Sequence, residues 1–367
     1  MKNLLKIFAL LFSLSILFFS YSCQNQELTK PITNTEKNNK TFIFPEKGAY
    51  TGAYIDFGDG EDNVTFEAML DFEKLVGKHQ AIIASSSYWG ENTFPMDNCK
   101  LIHNYGAIPL IYWSPWDRPY QQERGIDKKY NFASILEGKW DAYIDMWADE
   151  ANKFSHPILV AFAIEMNGHW FPWSGVLCGG GEKININGKT TYKGTDTFIK
   201  AYKYVVDRAR KRTKNILWGF HTNNGPSPAE PWNVFANYYP GDEYVDWTGL
   251  SVYGQQFPGQ GWLKWPDMID KGYNEMIKLA PNKPLILAEL GVGEFPQNGD
   301  KAEWLKEAYG SFQTRYTLVK GVVYWHERWE NSDGSISNIR VNSSLKSLNV
   351  FREIMKDNYW IDKPLFK

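Results

Sequence analysis

"ILVAFAIEMNGHWFPWSG", residues 158–175, opens as a run apolar on both faces and ends in a carboxylate, an amide, a glycine, a histidine and two tryptophans. A strand buried on both faces belongs to a parallel sheet covered by helices. In a parallel barrel, residues at the carboxyl ends of the strands point into the mouth where chemistry is done. The fold therefore turns on whether this pattern recurs along the chain.

It recurs. Short apolar runs stand at 52–57, 81–85, 107–113, 158–164, 215–220, 246–252, 284–290 and 321–325. Between them lie "VTFEAMLDFEKLVG", "WDAYIDMWADEANKF", "DTFIKAYKYVVDRARKRT" and "KAEWLKEAYGSFQTRY", each with apolar residues at helical spacing and a charged opposite face. Eight strand-like runs alternating with helices predict the α/β class and, within it, a (β/α)₈ TIM barrel forming a single catalytic domain over residues 44–367. An open doubly wound sheet is the competitor, but no GxGxxG or Walker glycine pattern follows an early strand.

Composition narrows the function. A formal charge of −2 with 43% apolar residues is too balanced for a binder of nucleic acid or another polyanion. Sixteen Trp, 21 Tyr and 22 Phe exceed what a core of this size needs, so rings lining a groove for a flat ligand such as a sugar compete with rings that fill a core.

The amino terminus, "MKNLLKIFALLFSLSILFFSYSCQ", has Lys2 and Lys6, an apolar stretch and then small or polar residues before Cys23, the order of a secretory signal. Residues 1–22 are expected to be a lipoprotein signal peptide with Cys23 as the lipidated residue, although Ser20 stands where leucine is usual. Residues 23–43, polar and without periodicity, are expected to be a flexible tether. The expected product is an exported lipoprotein, anchored in the periplasm or at the cell surface, that meets the membrane only through its lipid and is a monomer. In an exported protein Cys99 and Cys178 can pair or stay reduced. No CxxC and no metal-ligand spacing is present, so neither a metal nor a cofactor is expected.

Glu165 closes the fourth run and Glu289 closes the seventh, in "LILAELG". Fourth and seventh strands face each other across a barrel mouth. Glycosidic cleavage needs that arrangement: one acid to protonate the leaving oxygen and a second carboxylate on the other face of the sugar ring. A spacing of about 5–5.5 Å lets the second carboxylate attack the anomeric carbon, so that configuration is retained. Trp170, Trp173, Tyr253 and Trp325 cluster at the same ends.

"EMNGHWFPWSG", followed in order by "WTGLSVYG" and "LAELG", resembles glycoside hydrolase family 26, and the likeness runs from about Tyr50 to the end of the chain. The resemblance implies Glu165 as acid/base and Glu289 as retaining nucleophile. It further implies Tyr253 as a hydrogen-bond donor to the nucleophile, Trp325 as the floor beneath the sugar and Trp170 as a stacking residue. β-Mannan, the family's commonest substrate, is the one expected here, with mixed-linkage β-glucan and β-1,3-xylan as the alternatives. One departure bears on this choice: family mannanases usually carry histidine before the acid/base, and here that residue is Ile164. The expected partner is a β-linked polysaccharide or oligosaccharide, cleaved internally.

His169 and His221 follow the fourth and fifth runs and are candidate binding residues, with Trp116 as a sugar platform and Trp113 and Trp232 as further ones. His326 is a weaker candidate. His79, His103 and His156 precede strands and are expected at the opposite end. Residues 175–196 read as an excursion with an "INING" turn, either a wall of the groove or a hairpin without a ligand. A catalytically silent glycan-binding lipoprotein would be expected to lack one of the two glutamates, and both are present. A transglycosylase of the same fold would keep both.

Overall fold

The structure, a computed structural model, describes residues 41–117 and 127–367. The expected signal peptide, Cys23 and the tether up to residue 40 lie outside the described residues.

Eight parallel strands close into a barrel: β1 Ala49–Tyr54, β2 Ile82–Tyr88, β3 Ile108–Ser114, β4 Ile158–Phe162, β5 Ile216–Asn223, β6 Trp247–Tyr253, β7 Leu285–Gly291 and β8 Val319–Trp325. Neighbours pair in sequence order, and β8 returns to β1 in continuous register from Gly321 opposite Tyr50 to Trp325 opposite Tyr54. The α-helices of the described residues are α1 Phe66–Val76, α2 Met96–Tyr105, α3 Asp141–Phe154, α4 Lys193–Arg210, α5 Phe235–Tyr238, α6 Trp265–Leu279, α7 Lys301–Ser311 and α8 Leu345–Met355, and a further short helix spans Phe132–Leu136. The expected (β/α)₈ barrel is thus the observed fold.

Local chemistry explains where these elements begin and what they bury. Thr65 caps α1 by accepting from the Ala68 amide, Asp300 caps α7 through the Ala302 and Glu303 amides, and Ser344 caps α8 through Ser347. On α1 the buried residues Met69, Phe72 and Val76 recur at three and four positions, one helical face. On α4 the face made by Phe198, Tyr202, Val205 and Ala209 turns to the sheet, while Arg208 and Arg212 pair with Asp141, Asp145 and Asp149 of α3.

Three boundaries differ from the sequence reading. β1 begins at Ala49, three residues before the run at 52–57, and Gly52 lies inside it, where a side chain would meet Val323 and Ile82 at 3.0 and 3.1 Å. β2 runs on through Ser85, Ser86 and Ser87 to Tyr88, since a strand end inside a protein is hydrogen-bonded whatever the polarity of its side chains. Phe42–Ile43, at the end of the expected tether, pairs antiparallel with Leu365–Phe366. The stretch 175–196 carries a hairpin, Lys183–Ile186 with Lys189–Tyr192, turned at Asn187 and Gly188 with φ of 51° and 80°. Cys99 and Cys178 are free thiols, the first buried on α2 and the second lying in that excursion.

Candidate active site

Glu165 stands three residues beyond β4 on a backbone that bends sharply. Ala163 and Glu165 have φ of 49° and 52°, the left-handed region that residues with a Cβ rarely enter. Each such residue costs on the order of 1–3 kcal/mol and persists only when its surroundings hold it. Here they do. The Ala163 amide donates to the Trp113 carbonyl at 3.1 Å and the Glu165 amide to the His221 carbonyl at 2.9 Å, so ladder bonding continues on both sides of the bend. The Trp173 indole N–H donates to the Ile164 carbonyl at 2.6 Å and fixes the peptide between them.

The next residues of the motif hold the neighbouring strand. Asn167 accepts from the Asn223 amide at 2.9 Å and donates to the Asn223 carbonyl at 2.8 Å, clamping the end of β5. That clamp presents the Asn223 side-chain amide, which donates to Glu165 Oε1 at 3.3 Å. Gly168 leaves room for Trp170, because a Cβ would lie 2.5 Å from its ring. The Trp170 N–H then reaches Glu165 Oε2 at 2.7 Å.

Glu289 comes from inside β7, at an irregularity. Leu287 pairs with Leu250 but Glu289 pairs with Ser251, so Ala288 bulges out of the β6–β7 ladder. The Tyr112 hydroxyl donates to the Ala288 carbonyl at 2.6 Å and occupies the acceptor the bulge frees. A bulge of this kind re-aims the side chain beside it. Glu289 meets the Tyr253 hydroxyl, which donates to its Oε2 at 2.9 Å.

Both carboxyls are buried, at 6% and 7% exposure, and burial raises both above the ordinary glutamate range. Repulsion from Glu165 raises Glu289 further, while hydrogen bonds from Ser251 and Tyr253 oppose the rise. Trp170, Asn223 and Ser251 do the same for Glu165. Repulsion between the two disfavours ionising both, and a pair that keeps one proton presents one acid and one charged carboxylate.

A third carboxyl, Glu61, was not singled out from sequence. It follows β1, accepts from Ser86 Oγ at 2.6 Å, and burial pushes its pKa up to about 8. Trp325, 6% exposed, stacks on Tyr54 with centroids 3.9 Å apart and donates its N–H to Glu327 at 2.5 Å. Burial brings the Glu327 pKa up to about 7.

The remaining sequence candidates divide. His221 is buried and bonds Ser251 Oγ at 2.8 Å. His169 is exposed and its Nδ1 meets Ser227 Oγ at 2.8 Å, which ties the loop after β4 to the loop after β5. Trp173 and Trp116 are buried edge to face against each other, with Trp173 stacked on Phe171. Trp113 points outward into the helix layer, where it stacks on Trp147 of α3 and donates to Tyr143. Trp232 lies over Gly181 of the excursion, at a distance that leaves no space for a side chain there. His326 accepts from the Val341 amide and packs on Phe72 of α1, outside the barrel. His79 and His103 lie at the opposite end, as expected, and His103 stacks on His156 at 3.7 Å.

Among known proteins, residues 113–317 match the family described as Glycosyl hydrolase family 26. The sequence is 30% identical over 297 residues to Endoglucanase H of Acetivibrio thermocellus, 78% of this chain and 28% of that one. It is 34% identical over 238 residues to a Mannan endo-1,4-beta-mannosidase of Bacillus subtilis, 64% of this chain and 57% of the other. The chain therefore matches 28% and 57% of the length of these two curated relatives. In three dimensions it resembles the catalytic domain of the endo-beta-1,4-mannanase of Bacillus sp. JAMB-750, with a TM-score of 0.61 and 18% identity over 86% of this chain and 87% of that one. At that identity the likeness is one of fold.

Proposed function

The chain belongs to glycosyl hydrolase family 26, and from that premise we propose that it is a retaining endo-β-glycanase. The observation that carries the reading is the pair of buried carboxyls, Glu165 after β4 and Glu289 on β7, each gripped by its own donors and electrostatically coupled to the other. Glu165 gives its proton to the glycosidic oxygen as the C1–O bond breaks, and Glu289 attacks C1 to form a glycosyl ester. The leaving chain departs with that proton. The charge on Glu289 is then gone, so Glu165 becomes a base. It takes a proton from water, the water oxygen attacks C1, and Glu289 leaves as carboxylate with configuration retained. Trp325, braced on Tyr54, supplies a flat face for the ring being cleaved.

For the main chain of the substrate we favour β-glucan. Ile164 offers only a buried hydrocarbon where family mannanases usually place a histidine, and the endoglucanase relative spans more of this chain than the mannosidase does. β-Mannan is the second reading, favoured by the 34% identity to the mannosidase. Reducing-end release from mixed-linkage β-glucan, β-mannan, glucomannan and β-1,3-xylan, with a Glu289→Ala protein as blank, tests the proposal. Activity greatest on β-glucan supports it, and activity greatest on mannan makes Ile164 a tolerated variation. Silence on all four favours a glycan-binding protein.

We further propose that the protein is exported and lipidated at Cys23, on the signal-like order of residues 1–22. Metabolic labelling with a clickable palmitate, lost in Cys23→Ser, tests the anchor. Light scattering tests the expected monomer.

A further inference from the structure

Ser251, Asn223 and Glu289 form one rung across three strands, with Ser251 opposite Asn223 on one side and opposite Glu289 on the other. Glu289 is one catalytic carboxyl, and the Asn223 side chain grips the other, Glu165. The register therefore turns Ser251 to the same face as both carboxyls. Burial raises both carboxyls, and the Ser251 hydroxyl favours the charged form of each. Ser251 is 1% exposed, so bulk water does not replace these partners in the resting protein.

A third neighbour decides which way the hydroxyl can point. His221 Nε2 lies 2.8 Å from Ser251 Oγ. The imidazole occupies this place because residue 249 is glycine: a Cβ there would stand 3.2 Å from that of His221 and 2.9 Å from the Trp247 ring. His221 Nδ1 is buried and has no hydrogen-bond partner among the described residues. Burial holds the imidazole neutral, its pKa brought down to about 3. An orphaned buried N–H is rarer than an under-used acceptor, so the ring proton sits on Nε2 and is donated to Ser251 Oγ. Ser251 is thereby an acceptor toward His221. Its own proton is directed to the carboxyls, and one proton serves only one of them well at a time.

We propose that Ser251 is a positioning residue whose hydroxyl, kept off His221 by the fixed tautomer of that ring, donates to whichever of Glu165 and Glu289 carries the negative charge. In the resting enzyme the recipient is Glu289. Once Glu289 is esterified and Glu165 has lost its proton, rotation about one Cβ–Oγ bond turns the hydroxyl to Glu165. No bond to hydrogen is broken in this move. The charged and titratable groups that face the rung are Glu165, Glu289, His221, Tyr112 and Tyr253, with Glu61 acting on Glu289 from the loop after β1. The inference rests on the retaining reading above for its second half, and its first half concerns the resting protein alone.

Two measurements on the full chain separate those halves. The first is titration of the two carboxyls by NMR with ¹³Cδ-glutamate, assigned with Glu165→Gln and Glu289→Gln, in the wild type and in Ser251→Ala. A lost hydrogen bond to a charged group corresponds to a rise of about one pH unit, so the first ionisation of the pair is expected to move up by that order, while the second moves little because the one hydroxyl serves one carboxylate both before and after it. The second is the pH profile of kcat/KM on the best β-glycan. The acidic limb is expected to move up in Ser251→Ala with the basic limb nearly in place, and to return in Ser251→Thr, which keeps the hydroxyl. Ser251→Cys, of similar size but a weak donor, gives the same readout should the alanine protein fail to fold. Superimposable titrations, or a fall in rate with unmoved limbs, would overturn the proposal. If the wild type cleaves none of the glycans, the carboxyl titration still decides the resting half, and it is the hydrolase reading that has failed.

Discussion

The Tyr253 hydroxyl donates to Glu289 Oε2 at 2.9 Å, from the last residue of one strand to the residue that follows the bulge in the next. It is a donor aimed at a carboxylate that burial and a second carboxylate both disfavour. A hydrogen bond to a charged group contributes about 1.5–3 kcal/mol. Tyr253→Phe is therefore expected to lower kcat/KM by roughly one to two orders of magnitude, with the acidic limb of the pH profile moving up. Steady-state rates across pH check this, and a limb that stays in place contradicts it.

Glu165→Gln should separate the two halves of the reaction. With a polysaccharide leaving group, which needs its oxygen protonated, activity is expected to fall at least a hundredfold, in keeping with the weight of general acid catalysis. With a dinitrophenyl β-glycoside the first step no longer needs an acid, and added azide should rescue the second step and give a β-glycosyl azide. Chromatography of the products reads the outcome directly.

Burial also links the site to stability. The carboxyl of Glu289 has its folded pKa raised above its unfolded one, so the stability it contributes is fully present below the unfolded pKa and is lost as pH rises through the folded pKa. Glu289→Gln removes that loss. The variant is expected to melt at a higher temperature than the wild type at pH 8, with the gap narrowing at pH 4. Thermal melts at the two pH values test it, and a gap that is constant with pH argues against the assigned burial.

Gly168→Ala would push a methyl group to within 2.5 Å of the Trp170 ring, so the ring must move and Glu165 loses its N–H donor. Activity is expected to fall about tenfold or more, as loss of a hydrogen bond to a charged group implies, while the melting temperature changes little. By contrast, Trp173→Phe leaves the buried Ile164 carbonyl without its donor, and a cost of about 1–3 kcal/mol in urea unfolding is expected, with activity falling as the backbone at Glu165 relaxes.

The barrel was legible because runs apolar on both faces, separated by amphipathic stretches, admit few arrangements. The two glutamates were legible because each interrupts such a run. The residues that orient them were not. Asn223 and Ser251 are small polar residues at strand ends, and nothing in a linear pattern distinguishes them from ordinary edge residues until strand register lines them up. Left-handed backbone at Ala163 and Glu165 carries no sequence mark either, since neither residue is glycine. Aromatic content is ambiguous by itself: a tryptophan is large enough to serve a core or a groove, and only packing shows that Trp113 serves the core, against Trp147 and Tyr143. The Ala288 bulge, which aims Glu289, depends on a tyrosine from β3 far away in sequence.

The assignment of Glu289 as nucleophile is tested most directly by incubating the protein with a 2-deoxy-2-fluoro-β-glycosyl fluoride of the sugar it hydrolyses best, then mapping the modified peptide by mass spectrometry. An ester on Glu289 is the expected result. An adduct on Glu165 or another residue, or no adduct in a protein that turns over the parent glycoside with inversion at the anomeric carbon, would contradict the double-displacement mechanism.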